Sequence, residues 1–172
     1  IGTTLFRYTN IYGPSMNLDR DIPPVVGAFT SKLLSGEEPI IYGDGTKRRD
    51  FLHIDDLTNF HIAALKARCT QKYTQTYNAG SGENHSILKV YSVVHAACRK
   101  ITKDIPSLID HKPDQLDEAQ VTLANIEKAK EDLGWEPTIS FEDGVEKTVK
   151  SLANMMGVKN DSESNTKNEK KN

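Results

Sequence analysis

Cysteine is scarce in this sequence, and the two that occur fit no metal or redox pattern. Cys69 and Cys98 fall in separate stretches of helical periodicity, which favours buried free thiols. The five histidines show no ligand spacing either. The sequence therefore predicts neither a metal centre nor a redox site.

Long apolar runs are also absent. No stretch approaches the roughly 20 apolar residues that a membrane-spanning helix needs, and no basic, apolar signal peptide opens the chain. The formal net charge of −2 over 172 residues gives no electrostatic case for nucleic acid. We therefore expect a cytoplasmic protein with no membrane or nucleic-acid partner.

Fingerprints of phosphate-binding loops are missing as well. No G-x-G-x-x-G follows a predicted strand, and no Walker lysine occurs. Gly80-Ser81-Gly82 precedes a helix but lacks the other residues of either fingerprint. We interpret it as a strand-to-helix turn.

Strands and helices alternate along the sequence, which predicts an α/β fold. The predicted strands lie at 3–8, 40–42, 51–54 and 76–79. The predicted helices lie at 24–34, from Asp55 or Asp56 to about residue 68, after Ser86, after Asn125 and from Ser140 to about residue 155, with those polar residues as N-caps. In the helix that ends near residue 68, Leu57, Phe60, Ala64 and Leu65 are predicted to face inward.

The chain opens within an apolar, strand-like run at residues 1–8 and has no initiator methionine. A cytosolic protein rarely begins in the middle of a strand. We therefore expect further sequence upstream of Ile1.

Four stretches carry most of the chemical information. They are residues 7–14 (RYTNIYGP), 41–56 (IYGDGTKRRDF followed by LHIDD), 77–83 (YNAGSGE) and 124–137 (ANIEKA, then LGWEP). In this order and spacing they resemble the C-terminal half of extended short-chain dehydrogenases/reductases, especially the UDP-glucose 4-epimerases. The resemblance runs from residue 3 to about residue 152.

This resemblance implies a Rossmann-type fold in which residues 1–157 form the C-terminal part. The strands near 3–8 and 76–79 would then lie at the edge of the NAD(P)-binding sheet, and the remainder would form the substrate-binding domain. Residues 158–172 are almost wholly polar and are predicted to form a disordered tail.

The same resemblance implies a nucleotide-sugar epimerase, acting on a UDP-sugar by transient NAD-dependent oxidation in a parent protein that can form a homodimer. The alternatives within the family are a nucleotide-sugar 4,6-dehydratase and a uronate epimerase. From a different class, the chain could be a non-catalytic module that binds a sugar nucleotide, or a remnant with no ligand.

Two residues are the main candidates for holding the substrate. A guanidinium offers two fixed donors to a diphosphate, and the family arginine that matches Arg49 contacts that group. The amide of Asn10 could bond a phosphate or a sugar hydroxyl where the first strand ends, and the matching family asparagine lies against the sugar nucleotide. The alternatives are a surface ion pair for Arg49, a turn-forming role for Asn10, and a solvent-exposed Arg48.

Further candidates come from the resemblance alone. Tyr8 matches a position near the nicotinamide end of NAD, while Ile40 and Tyr42 match the segment that packs against the nucleotide base. Either tyrosine could equally be a core residue. Relatives often carry an arginine and an aspartate where this chain has Gln115 and Glu118, so Glu118 is a candidate for ribose and Gln115 lacks the charge.

No catalytic residue can be assigned. In the resembled family a tyrosine followed four positions later by lysine acts as the general base, and the lysine lowers the pKa of that tyrosine. None of the six tyrosines here has such a lysine. The catalytic pair and most of the NAD site are expected upstream of Ile1.

We therefore predict that residues 1–172 expressed alone are poorly folded or aggregation-prone, because apolar strand edges are left uncovered, and catalytically inactive. Solubility and a sugar-epimerisation assay test this. A soluble chain with epimerase activity would contradict it.

Overall fold

The computed structural model describes residues 3–20, 23–68, 74–114 and 118–158. Within these ranges short strands and helices alternate, as the periodicity predicts. The helices are α1 (Val25–Leu34), α2 (Ile54–Arg68), α3 (Ile87–Arg99), α4 (Glu127–Leu133) and α5 (Phe141–Met155). The strands are β1 (Thr4–Tyr8), β2 (Asn10–Tyr12), β3 (Ile40–Tyr42), β4 (Arg48–Arg49), β5 (Phe51–His53), β6 (Gln75–Ala79), β7 (His85–Ser86) and β8 (Asp110–Lys112).

Most of the strand pairing is parallel. β1 pairs with β6, β2 with β5, and β3 with β8, all parallel, whereas β4 and β7 are antiparallel. Parallel strands joined through helices are the mark of an α/β fold. Because β2 follows β1 after one residue and pairs with β5, the end of β1 is brought next to the 48–53 segment.

Two apolar clusters hold these elements together. The larger one packs α1, α3 and α5 against one another, with Leu33, Val94 and Val149 at most 1% exposed. The smaller one lies between α2, α4 and β6, where the Phe60 and Trp135 rings meet edge to face with centroids 4.9 Å apart. Burial of this kind is the main favourable term in folding.

The local signals at helix ends are largely confirmed. Ser86 and Ser140 cap α3 and α5 by accepting bonds from the backbone N–H groups of Lys89 and Asp143. At α4 the N-cap residue is Ile126 rather than the predicted Asn125, whose carboxamide oxygen nevertheless accepts from the N–H of Glu127 at 3.0 Å. Gly134 ends α4 in the left-handed conformation with φ 60°. These devices involve neighbours in sequence.

The start of α2 differs from the prediction. The helix begins at Ile54, so Asp55 and Asp56 lie inside its first turn rather than at the cap. Asp56 is buried and accepts bonds from Thr138 N at 3.1 Å, Thr138 Oγ1 at 2.9 Å and Ile139 N at 3.0 Å. This carboxylate therefore ties α2 to the segment before α5.

Apolar side chains are exposed in β1 and α2. Leu5, Ile62 and Leu65 are all open to solvent, which contradicts the predicted inward position of Leu65. Parallel strands are normally covered on both faces, yet most of β1 is uncovered. The exposed surface through which aggregation is predicted is therefore β1 and the adjoining side of α2.

Several expectations concern other parts of the chain. Cys98 is a buried free thiol, and burial raises its pKa to about 12. Among the residues described, no helix combines the length and apolar character that crossing a bilayer requires. Cys69, Gln115 and the 159–172 part of the predicted tail lie outside the described residues.

We predict that Asp56→Asn lowers the free energy of unfolding by about 1–3 kcal/mol, because an amide in place of one carboxylate oxygen leaves a buried N–H unpaired. Asp55→Asn is the control, since the Asp55 side chain is 56% exposed, and should change stability by less than about 0.5 kcal/mol. Urea unfolding followed by the fluorescence of the single tryptophan, Trp135, measures both. Equal effects of the two substitutions would contradict the assigned role.

Candidate functional site

The buried carboxylate of Asp50 organises the region where β1 ends. Asp50 Oδ1 accepts bonds from Thr9 Oγ1 at 3.3 Å and from Ser81 N and Oγ at 2.8 and 2.9 Å. Asp50 Oδ2 accepts from Gly82 N at 3.3 Å and Ala124 N at 3.1 Å. One side chain thus joins the β1–β2 junction, the turn after β6 and the segment before α4.

The bonds to Asp50 determine whether the glycine-rich turn at residues 80–82 can bind a phosphate. The N–H groups of Ser81 and Gly82, which a phosphate loop would aim at its ligand, point at Asp50 instead. A Cβ on Gly80 would lie 2.5 Å from the Cβ of Ala124, so close packing requires this glycine. The interpretation as a turn is confirmed, but the turn leads first into the short strand β7 and only then into α3.

Asn10 and Arg49 meet at the boundary between two cavities. Both residues line a cavity of about 380 Å³ and a second of about 510 Å³. The first cavity is also lined by Arg7, Tyr8, Thr9, Asn78, Thr122, Leu123 and Ala124. The second is also lined by Ile11, Arg20, Pro23, Pro24, Val25, Ala28, Phe29, Ile40, Ile41, Tyr42, Lys47, Phe51, Ile87 and Glu118.

Asn10 is held by the backbone of the neighbouring strand. Its Nδ2 donates to the carbonyl oxygen of Asp50 at 2.9 Å, and its own N–H donates to the same oxygen at 3.1 Å. This bond uses one of the two N–H groups of the carboxamide. Asn10 therefore has a fixed orientation at the cavity wall, which a turn-forming role alone does not require.

Arg49 belongs to a charged network that the sequence did not reveal. Its Nη2 donates to Glu118 Oε1 at 2.6 Å, while Lys47 Nζ donates to Glu118 Oε2 at 2.9 Å and also to Asp114. The bond from Lys47, together with that from Arg49, lowers the pKa of Glu118. The bonds to Asp114 and Glu118 raise the pKa of Lys47, so Lys47 and Glu118 are both charged near neutral pH.

Strand alternation explains which of the three consecutive cations enter the cavity. Residues 47 and 49 share one side of an extended chain, and residue 48 faces the other. Arg48 donates to Asn84 through Nε at 2.5 Å and Nη2 at 2.8 Å, so the expectation of a solvated Arg48 is corrected to an exposed but bonded side chain. The same alternation could have identified Lys47 from the sequence.

The two candidate tyrosines are not core residues. Tyr8 is 52% exposed, lines the smaller cavity and shares a hydrogen bond of 2.9 Å with His61 Nε2. Tyr42 is 46% exposed and lines the larger cavity beside Ile40. Because about half of each side chain is exposed at a cavity, both residues are placed where a ring could contact a ligand.

The larger cavity therefore combines Asn10, Ile40, Tyr42, Arg49 and Glu118, which come from separate segments of the chain. It offers three cations (Arg20, Lys47 and Arg49), a fixed amide, an exposed aromatic ring and a carboxylate. These groups suit a ligand that carries an anion, hydroxyls and a flat ring. Tyr8 lies in the neighbouring cavity.

We predict that Asp50→Asn destabilises the chain by about 2–5 kcal/mol, because an NH₂ facing the N–H groups of Gly82 and Ala124 leaves both without an acceptor. Asp110→Asn on the exposed strand β8 is the control and should have little effect. Urea denaturation compares them. An Asp50→Asn chain as stable as the control would show that this carboxylate does not hold the three segments.

Comparisons with known proteins agree with this architecture. The sequence model of the family described as GDP-mannose 4,6 dehydratase matches residues 1–148. The chain is 37% identical over 148 residues to a UDP-glucuronate 4-epimerase of Thermodesulfobacterium geofontis, with 85% of this chain and 42% of that protein covered. It is 31% identical to UDP-glucuronic acid decarboxylase 1 of Arabidopsis thaliana, with 86% and 32% covered.

Solved structures show the same fold. The crystal structure of UDP-glucose 4-epimerase from Thermotoga maritima with UDP-glucose aligns with a TM-score of 0.77 and 29% identity, covering 89% of this chain and 46% of that one. UDP-glucuronic acid 4-epimerase from Bacillus cereus, in complex with UDP-glucuronic acid and NAD, aligns with a TM-score of 0.73 and 28% identity, covering 88% and 45%.

The chain spans less than half the length of these relatives. Its α/β arrangement with parallel strand pairs fits the C-terminal part of their fold. The match over residues 1–148 covers most of the sequence. The chain therefore belongs to the GDP-mannose 4,6 dehydratase family, within the NAD-dependent epimerases/dehydratases of the extended short-chain dehydrogenase/reductase class.

Proposed function

We propose that this chain is the sugar-nucleotide-binding part of an NAD-dependent nucleotide-sugar epimerase similar to UDP-glucose 4-epimerase. The observation that carries the proposal is the single cavity of about 510 Å³ lined by Asn10, Ile40, Tyr42, Arg49 and Glu118. Cavities of this size are typical of small-molecule sites. Relatives with this fold were crystallised with UDP-glucose or UDP-glucuronic acid.

Each lining residue has a proposed role that its chemistry supports. Arg49 binds the diphosphate, because its side chain lines the cavity and its guanidinium offers two fixed donors. Asn10 bonds a phosphate or sugar hydroxyl next to Arg49. Tyr42 and the backbone of Ile40 pack against the base, and Glu118 accepts bonds from ribose hydroxyls.

NAD enters this proposal at the smaller cavity. Tyr8 is proposed to lie at the nicotinamide end of the cofactor, which accepts and returns a hydride when bound. The described residues offer no glycine-rich cradle for its phosphates, since the 80–82 turn is bonded to Asp50. We propose that NAD is held mainly by another part of the protein and that this chain alone is inactive.

Two alternatives within the family keep the same binding site. The family match is described as a 4,6 dehydratase, and a relative at 37% identity is a UDP-glucuronate 4-epimerase. A non-catalytic module that binds a sugar nucleotide would also use this cavity. Binding measurements separate the module from a remnant without a ligand, because only the module binds.

We predict that UDP and UDP-glucose bind the chain in calorimetric titrations, and that Arg49→Ala weakens binding at least tenfold, the equivalent of about 1.4 kcal/mol, through loss of a charge-assisted contact. GDP-mannose and UDP-glucuronic acid test the base and sugar preference. Arg99→Ala, at the exposed end of α3, is the matched control and should bind like the unsubstituted chain.

Two binding results would contradict this proposal. If none of these nucleotides binds a chain that circular dichroism shows to be folded, or raises its temperature of thermal unfolding, the cavity is not a sugar-nucleotide site. Equal loss of binding in Arg49→Ala and Arg99→Ala would show that general charge, not Arg49, attracts the ligand.

A further inference from the structure

One carboxylate in the larger cavity is shared by two cations. Glu118 Oε1 accepts from Arg49 Nη2 at 2.6 Å, and Glu118 Oε2 accepts from Lys47 Nζ at 2.9 Å. Each carboxylate oxygen therefore has its own cation. This arrangement is the one in which two oxygens of a phosphoryl group would be held between a lysine and an arginine.

The partners differ in how firmly they are held. The side chains of Lys47 and Arg49 are 7% and 12% exposed, whereas those of Glu118 and Asp114 are 43% and 49% exposed. Arg49 is fixed further by the bond from its Nη1 to the carbonyl oxygen of Arg48 at 2.9 Å. The side chains of the two cations are thus largely buried in the cavity wall, while the carboxylates that they contact are partly exposed.

The ion pairs of Glu118 with Lys47 and Arg49 lie at the wall of the larger cavity, a position that a purely structural role does not require. Lys47, Arg49 and Glu118 all line the cavity together with Asn10 and Tyr42. Bringing an ammonium out of water is costly unless an anion compensates it. Of the three cations that line the cavity, Lys47 and Arg49 are the two bonded to Glu118, and the side chain of Glu118 is 43% exposed.

We propose that Lys47 and Arg49 together form a two-cation phosphate seat and that Glu118 is its internal competitor, which an entering phosphate displaces. The inference rests on the proposed function, because that function supplies a ligand with a diphosphate. It adds Lys47 as a binding residue and gives Glu118 a second role. Once displaced, the Glu118 carboxylate is available to the ribose.

The test measures inorganic pyrophosphate and UDP binding by calorimetry in the 172-residue chain and its variants. Pyrophosphate has no ribose, so it reports on the cations alone. Glu118→Gln removes the competitor's charge and should tighten pyrophosphate binding about fivefold, as expected for loss of an exposed ion pair. Lys47→Gln should weaken pyrophosphate and UDP binding about tenfold.

Matched controls come from elsewhere on the surface. Glu146 also bridges two lysines, Lys100 and Lys150, but lies on α5 and does not line the cavity. Glu146→Gln and Lys89→Gln should therefore leave binding unchanged. Glu118→Gln keeps both cations, so it tests the seat even where Lys47→Gln fails to fold.

The outcomes separate this inference from the proposed function. UDP binding that depends on Arg49 but is unchanged in both Lys47→Gln and Glu118→Gln overturns the seat and leaves the proposed function standing. Weaker pyrophosphate binding in Glu118→Gln also overturns the two-cation seat. If Glu118 competes with the phosphate for the cations, removing its charge cannot weaken phosphate binding. Absence of UDP binding to every chain, including an unsubstituted chain that circular dichroism shows to be folded, contradicts the proposed function itself.

Discussion

The Asp50 carboxylate is bonded to three segments that are far apart along the chain: the β1–β2 junction, the turn after β6 and the approach to α4. Its backbone carbonyl holds the side chain of Asn10. Because the carboxylate is fully buried, every one of its bonds must be kept to offset its desolvation. Asp50 therefore fixes the β1–β2 junction beside Asn10, and Arg49 directly precedes it in the chain.

The consequence for function follows from strand geometry. With Asp50 turned inward to its bonds, the alternation of an extended chain directs residues 47 and 49 to the cavity and residue 48 to Asn84. Lys47 and Arg49 therefore both line the larger cavity, and their positive charge is balanced by Glu118 and Asp114. A site arranged in this way can exchange one anion for another without rebuilding its walls.

Local features of the fold were predictable from the sequence, whereas long-range ones were not. Helix-end residues such as Ser86, Ser140 and Gly134 interact with backbone groups only a few residues away. Their roles can therefore be predicted from the local sequence. Asp56 looked like a helix cap because such a cap is also local, but its partners lie at residues 138–139. Sequence periodicity carries no information about that pairing.

The candidate site shows the same division. The family resemblance supplied five of the residues that line the larger cavity, and the structure brings them together. The resemblance left open whether Tyr8 and Tyr42 are core residues. The exposure of a side chain on a strand depends on which other elements pack over that strand, and the local sequence does not show this. Lys47 was not identified as a site residue because it belongs to the run of three cations at 47–49. The alternation of side chains along an extended chain nevertheless places Lys47 on the same side as Arg49 and opposite Arg48.

The central claim is that Asn10 and Arg49 act on one ligand in one cavity. Titration of isotope-labelled chain with UDP, followed by nuclear magnetic resonance, tests it most directly. The account predicts that the side-chain signals of Asn10 and Arg49 shift together, with the backbone amides of Ile40 and Tyr42. Shifts confined to the 80–83 turn and the start of α4 would contradict it, because that surface borders a different cavity.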